Sequence, residues 1–195
     1  NVDPMRYKEI DPDVDVMSQI LWKGGHGITN IFNAAYDSFR AKRRERGQIT
    51  TFYVCTEPQK PNTWLESPLA ETAWIGLYAG AKGYDGFLRW AFCNWPLNPL
   101  FDTSYKTWLP GDTFLVYPGM RLSVRWEALR DGIEEFEKIS QLRKEGADMT
   151  KIDAVLKSMH AEYKLVATEN SGKTKEQVDA ITAAVNEAAK ALADR

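Results

Sequence analysis

Aromatic and amide side chains follow two apolar segments that the sequence predicts as β-strands. Tyr53 and Asn62 lie at and after the end of the segment ITTFYVC. Trp90, Asn94 and Trp95 lie at and after the end of the segment GFLRWAF. Because ligands of parallel α/β folds bind where the strands end, we expect these side chains to line a binding site. Aromatic rings offer flat apolar faces, and amides both donate and accept hydrogen bonds.

Structural roles for the aromatic residues stay open at this point. The chain has 7 Trp, 8 Tyr and 8 Phe, which suits sugar faces, stacking platforms, interfaces or a large apolar core. Trp90 alternates with Phe92, so in an extended strand both would share one face and could point into the core. Trp64 could pin down the loop that carries it. The loop before the next apolar segment carries further polar and aromatic residues, namely Asp102, Tyr105, Trp108 and Asp112.

Acidic and histidine residues do not form a recognisable catalytic or metal-binding set. Glu57 could act as a general acid at a strand end, but before Pro58 we favour a loop residue bonded to backbone amides. Glu134 and Glu135 are adjacent within a predicted helix, where we expect both to face solvent. His26 and His160 lack the spacing of metal ligands, so neither a metal nor another cofactor is expected.

The composition is that of a globular domain without a nucleic-acid or membrane signal. Of 195 residues, 44% are apolar and 27% charged, and the net charge is −2 without a basic stripe. No apolar run approaches the roughly 20 residues that span a bilayer. The chain opens with Asn1 and shows no signal peptide, so we expect a mature or trimmed fragment. Cys55 and Cys93 could pair across neighbouring strands, but we favour two buried free thiols.

The alternation of apolar runs and helical patterns predicts an α/β fold with a parallel sheet. Strands are predicted at residues 14–21, 49–55, 86–92 and 113–119, and helices at about 29–47, 67–83 and 123–145. Within the last of these helices, Trp126, Leu129, Ile133, Phe136 and Ile139 are expected to face inward.

After residue 147 the chain becomes rich in Ala, Lys and Glu, which predicts two helices at about 150–168 and 174–193. We therefore divide the chain into an α/β part, residues 1–146, and a helical hairpin tail, residues 147–195.

Several long motifs resemble the end of the catalytic barrel of glycoside hydrolase family 123. They are ITTFYVCTEPQKPNTW, SPLAETAWIGLYAGAKGYDGFLRWAFCNWPLNPLFDT, WLPGDTFLVYPG and SVRWEALRDGIEEFE, within the span from Gly47 to about Lys138. The resemblance implies the C-terminal part of a (β/α)8 TIM-type barrel, followed here by the helical hairpin. A closed barrel needs eight strands, and the sequence predicts four, so we expect the N-terminal half of the barrel as a missing partner.

The resemblance also implies an activity, that of an exo-acting β-N-acetylgalactosaminidase with a glycan substrate and a location outside the cytoplasm. In such enzymes the acetamido oxygen of the sugar attacks the anomeric carbon, assisted by an adjacent Asp-Glu pair. This sequence contains no Asp-Glu dipeptide, so no catalytic residue is assigned to it. The positions that match would line the sugar pocket: Tyr53, Asn62, Trp90, Asn94 and Trp95. A non-catalytic carbohydrate-binding or interaction module is the alternative.

Overall fold

Three short strands form a parallel sheet in the order in which they occur along the chain. The computed structural model describes residues 15–20, 34–54, 61–166 and 171–194. Within them, β1 spans Val16–Ile20, β2 spans Ile49–Tyr53 and β3 spans Gly86–Phe87. Helix α1 (Ala34–Glu45) lies between β1 and β2 in the chain, and α2 (Leu69–Lys82) lies between β2 and β3. The α/β class and the parallel sheet are thus confirmed.

Strand β2 is the centre of the sheet and anchors the core. It pairs with β1 from Val16 opposite Ile49, and with β3 at Thr51 opposite Gly86. Phe52 is fully buried, and its ring lies 5.1–5.4 Å from the rings of Tyr78, Tyr84 and Phe87. β-Branched and aromatic residues fill this segment, which favours the predicted strand.

The predicted strand at 86–92 is shorter in the structure, and the predicted strand at 113–119 does not form. The last bond that extends the β2–β3 ladder joins the Leu88 amide to the Phe52 carbonyl, at 2.8 Å. The chain then turns away, and an isolated antiparallel bridge joins Cys93 to Phe114. Phe114 and Leu115 are fully buried, so the apolar run reflects burial of a loop segment, not a fourth strand.

Helix α2 lies within one or two residues of the predicted bounds, 67–83. Pro68 precedes its first residue, and Gly83 follows its last residue with a left-handed φ of 69°. The Tyr84 amide then bonds to the Ala79 carbonyl at 2.8 Å, as in a helix end that a glycine allows. All residues of α2 from Glu71 to Ala79 are buried, so this helix is the centre of the helical layer.

Helix α3 (Val124–Lys144) is capped by Ser123, whose hydroxyl accepts a hydrogen bond from the Trp126 amide at 3.1 Å. Its inward face follows the predicted period, and Leu129 and Ile139 are buried. Ile133 departs from that prediction because it is 39% exposed. Among the two adjacent acids, Glu134 is exposed as expected.

Glu135 departs from the prediction that it faces solvent, because it is largely buried and accepts a bond from Lys138 at 2.7 Å. Cys93 also departs from prediction, since it is an exposed free thiol beside a bridge instead of a buried one. Cys55 lies outside the described residues.

Helices α4 (Thr150–Val166) and α5 (Ser171–Ala193) form the predicted hairpin and pack against α2. Ile152, Met159 and Ile181 are fully buried in the same apolar cluster as Phe52 of the sheet. The division of the chain at residue 146 stays a prediction. None of the described helices is long and apolar enough to cross a membrane.

Candidate functional site

A buried carboxylate, Asp112, lies where the loops after β2 and β3 meet. The Trp64 indole N–H donates to its Oδ1 at 2.9 Å, and the Trp90 indole N–H donates to the same oxygen at 3.4 Å. The Arg89 guanidinium bonds to the Asp112 backbone carbonyl and lies 3.7 Å from Oδ1. Asp112 itself has no exposed surface. One charge therefore holds three side chains from two loops.

A pair of indole rings beside this carboxylate is partly open to solvent. The rings of Trp90 and Trp108 have centroids 5.1 Å apart and planes inclined by 47°. Trp90 is half-buried, and Trp108 is 38% exposed. Inclined aromatic planes at this distance form an apolar surface of the kind that stacks against ligand faces.

The base of the loops is held by Arg125, from the first turn of α3. Its guanidinium is 2% exposed and donates to the backbone carbonyls of Thr63, Gly111 and Phe114, at 2.5, 2.9 and 2.8 Å. Burial lowers the pKa of Arg125, while the neighbouring Tyr117 raises it. These bonds join the segment before α2 to residues 111–114 of the loop that precedes α3.

The residues predicted to bind substrate occupy different environments. Tyr53 is half-buried at the end of β2, whereas Asn62 is fully buried, and its Oδ1 accepts a bond from the Thr63 amide at 2.8 Å. Asn94 is exposed, and its backbone amide bonds to the Thr113 carbonyl at 3.0 Å. Trp95 is 37% exposed and donates its indole N–H to the Val116 carbonyl at 2.7 Å.

The structure brings Trp90, Asn94 and Trp95 together along one loop that lies against residues 113–116. The Asn62 side chain accepts a bond from the backbone amide of the next residue in its own loop. Trp64 is 4% exposed and holds the same loop to Asp112. Glu57 lies outside the described residues.

Three residues of this region were not recognised as important from the sequence: Arg89, Asp112 and Arg125. The sequence places Asp112 among several polar and aromatic loop residues and indicates no functional role for either arginine. The signal available was weak, because an Asp after Pro-Gly and an Arg in a first helical turn are ordinary turn and helix residues. Their burial depends on partners up to 62 residues away in the chain.

A groove of about 930 Å³ lies elsewhere, between α2, α3 and α5. Its walls include the aliphatic residues Leu69, Ala73, Val124 and Val178. None of the tryptophans described above lines it. Within the described residues, no group of three or more His, Cys, Asp or Glu side chains could hold a metal ion.

The chain resembles known glycoside hydrolases both in sequence and in fold. The sequence profile described as "Glycoside hydrolase 123, catalytic domain" matches residues 7–142. A family 123 glycoside hydrolase from Clostridium perfringens, whose structural analysis concerns glycolipid glycan hydrolysis, has a similar fold, with a TM-score of 0.76 and 24% identity. The match covers 96% of this chain and 34% of that chain, so this chain spans about a third of the relative's length. No protein with a curated description matches the sequence.

Proposed function

Because this chain belongs to glycoside hydrolase family 123, we propose that it supplies part of the sugar pocket of a (β/α)8 catalytic barrel. The sequential parallel order of β1, β2 and β3 supports this, since barrels of this type add strands in chain order with helices between them. The remaining strands then come from the N-terminal half of the barrel. The 34% coverage of the Clostridium perfringens relative is consistent with such a division.

The substrate that we propose is a glycan ending in β-linked N-acetylgalactosamine. The observation that carries the binding role is the half-open pair of Trp90 and Trp108, in the same long loop as the exposed Asn94 and Trp95. Indole faces pack against the C–H face of a pyranose, and an amide serves sugar hydroxyls as donor and acceptor. Half-buried Tyr53 would complete the wall of the pocket on the side of β2, and fully buried Asn62 would hold the loop behind that wall.

The reaction that we propose is substrate-assisted hydrolysis. The acetamido oxygen of the bound sugar attacks the anomeric carbon, one carboxylate orients the acetamido group, and a second protonates the leaving oxygen. This chain contains no adjacent Asp-Glu pair, and its fully buried Asp112 is already engaged by indole N–H groups. The acid pair is therefore supplied by the rest of the full-length protein. The task of this chain is to bind and orient the sugar.

An assay of two polypeptides tests this division. The full-length protein should release the aryl group from an aryl β-N-acetylgalactosaminide, and the 195-residue chain alone should not, because acid catalysis contributes roughly 10²–10⁴-fold. An aryl β-galactoside, which lacks the acetamido group, is the matched control and should be cleaved far more slowly. Turnover by the short chain alone would refute the division, and equal cleavage of both substrates would refute the substrate-assisted mechanism.

A non-catalytic carbohydrate-binding module is the second candidate. Two observations favour it: the lack of an Asp-Glu pair in this chain, and the partly exposed indoles, which would serve a binding module as well as an enzyme. In that case the full-length protein would bind N-acetylgalactosaminides, measured by titration calorimetry, and would show no turnover. The same two polypeptides therefore distinguish the enzyme from the module.

A further inference from the structure

The geometry points to Asp112 as a positioning residue for the sugar-binding surface, a role that rests on the proposed function. We propose that its carboxylate fixes the orientation of the Trp90 indole and, through the contact between the rings, that of Trp108. The bond from Trp90 to Oδ1 is 3.4 Å, and the two ring centroids are 5.1 Å apart. The carboxylate thus acts on the ligand through an aromatic pair.

The carboxylate is suited to this task because its bonds are charge-assisted and buried. An N–H donor bound to an ionised carboxylate is held more strongly than one bound to a neutral acceptor, and burial strengthens the bond further. Trp90 has two side-chain torsions, and a bond at Nε1 restrains the swing of the ring about both of them. Neighbouring Arg89, whose side chain is 5% exposed, balances the negative charge.

Direct contact between Asp112 and a ligand does not fit the geometry. The residue has no exposed surface, and Oδ2 has no hydrogen-bond partner within the described part of the chain and no open path to solvent. The rings of Trp90 and Trp108 beside it keep surface that a sugar can contact. Asp112 therefore positions the residues that bind, without binding the sugar itself.

The first test is steady-state kinetics of the full-length protein on an aryl β-N-acetylgalactosaminide. Asp112→Asn and Trp90→Phe each weaken or remove the same bond, so each should raise KM by about fivefold to tenfold while kcat changes little, as expected for lost ground-state binding. The double variant should raise KM no further than either single one, because both act on one interaction. Asp102→Asn, at an exposed residue of the same loop, should leave both constants unchanged.

The second test does not depend on sugar turnover. In protein labelled with 5-fluorotryptophan, the 19F resonance of Trp108, assigned with Trp108→Phe, should shift in Asp112→Asn and stay in place in Asp102→Asn. Such a shift supports the positioning role even if the wild-type protein neither binds nor cleaves the sugar, an outcome that would refute only the proposed function.

Two results overturn the positioning role. One is a folded Asp112→Asn variant with an unchanged KM and an unshifted Trp108 resonance. The other is a double variant whose effects on KM multiply, which would show that Asp112 and Trp90 act independently. Should Asp112→Asn fail to fold, Asp112→Glu, which keeps the charge and moves the carboxylate by one methylene, takes its place: a raised KM with a shifted Trp108 resonance supports the role, and unchanged values of both overturn it.

Discussion

At the scale of single residues, hydrogen bonds from the indole N–H groups separate the structural tryptophans from the candidate ligand-binding ones. Trp64 and Trp74 are buried and donate to side-chain oxygens of Asp112 and Gln177. Trp95 is more than a third exposed, yet it is held by the Val116 carbonyl. A buried or half-buried indole needs such an acceptor, so the position of the acceptor decides which ring face stays open.

Asn94 and Trp95 give the first prediction, because both are exposed and neither side chain contributes to the core. The double variant Asn94→Ala with Trp95→Phe should lower kcat/KM on the aryl N-acetylgalactosaminide by at least about tenfold, which corresponds to roughly 1.4 kcal/mol. The melting temperature of the full-length protein should fall by little. Leu97→Ala, at a fully exposed residue of the same loop, is the matched control and should change neither quantity. A stability loss with unchanged kcat/KM would show that the pair is structural.

At the scale of elements, helices α2 and α3 cross so closely that glycine is required at the contact. A Cβ added at Gly132 would lie 2.1 Å from the Ala73 carbonyl oxygen, and one added at Gly76 would lie 2.8 Å from the Gly132 carbonyl carbon. Both neighbours are backbone atoms, which cannot rotate away as a side chain can. The crossing therefore fixes the position of α3, and with it that of Arg125 below the loops.

Gly132→Ala should destabilise the chain, although alanine is the better helix former by about 1 kcal/mol. The steric conflict with Ala73 should exceed that gain and lower the free energy of unfolding by about 3 kcal/mol or more. Urea denaturation measures the change. Glu137→Ala, at an exposed site of α3, should stay within about 0.5 kcal/mol of the wild type. An equally stable Gly132→Ala variant would disprove the close crossing.

Lys82, in the last turn of α2, makes the free energy of unfolding depend on pH in the alkaline range. Burial lowers the pKa of its ammonium from 10.5 to about 8, with Asp37 opposing the shift and Arg40 adding to it. Between these values the folded chain binds fewer protons than the unfolded chain, so the contribution of Lys82 to stability rises with pH.

Replacing Lys82 removes this dependence. We expect the free energy of unfolding of the wild type to rise relative to that of Lys82→Met between about pH 8 and pH 10, since only the wild type carries the titrating amine. Because burial also raises the pKa of Tyr84, to about 12, the comparison is made as a difference between the two proteins, in which this common effect cancels. Lys190→Met, at an exposed lysine of α5, should run parallel to the wild type. A constant difference for Lys82→Met would contradict the burial of a titrating ammonium.

At the scale of the whole molecule, the helical hairpin and the α/β part share one apolar core. Residues of α4 and α5 are fully buried against α2, and the Trp74 indole N–H donates to Gln177 of α5 at 2.8 Å. An element that buries this much of its neighbour's surface contributes to the stability of both. We therefore expect the described chain to unfold as one cooperative unit.

Ile181→Ala tests this expectation because Ile181 is fully buried in α5. The cavity should lower the free energy of unfolding by about 2–5 kcal/mol. In protein labelled with 5-fluorotryptophan, the 19F resonance of Trp108 reports the α/β part, since Trp108 lies in the loop before α3, whereas far-UV ellipticity reports all helices. Both probes should give the same lowered urea midpoint, and Asn186→Ala, at an exposed site, should leave it unchanged. Separate midpoints would show that the hairpin is an independent unit.

The sequence by itself determined the features that depend on neighbouring residues. Ser123 sets the start of α3, because its hydroxyl accepts a bond from an amide of the first turn. Gly83 sets the end of α2, because glycine adopts the left-handed φ that ends a helix. The β-branched run of β2 was recognised for the same reason. The family was also recognised from long ordered motifs, which the match over residues 7–142 confirmed.

The tertiary structure decided what depends on partners distant in the chain. The apolar run at 113–119 indicates a buried segment. It does not indicate that residues 92–94 pair with this segment through an antiparallel bridge, which prevents a fourth strand. The burial of Glu135 was equally hidden, because periodicity does not give the width of the buried face. The surroundings of Asp112 depend on two hydrogen bonds to one of its oxygens. One comes from Trp64, 48 residues earlier, and the other from Trp90, 22 residues earlier. Hydrogen bonds over such separations leave no local pattern, since they depend on how loops meet after the helices have packed.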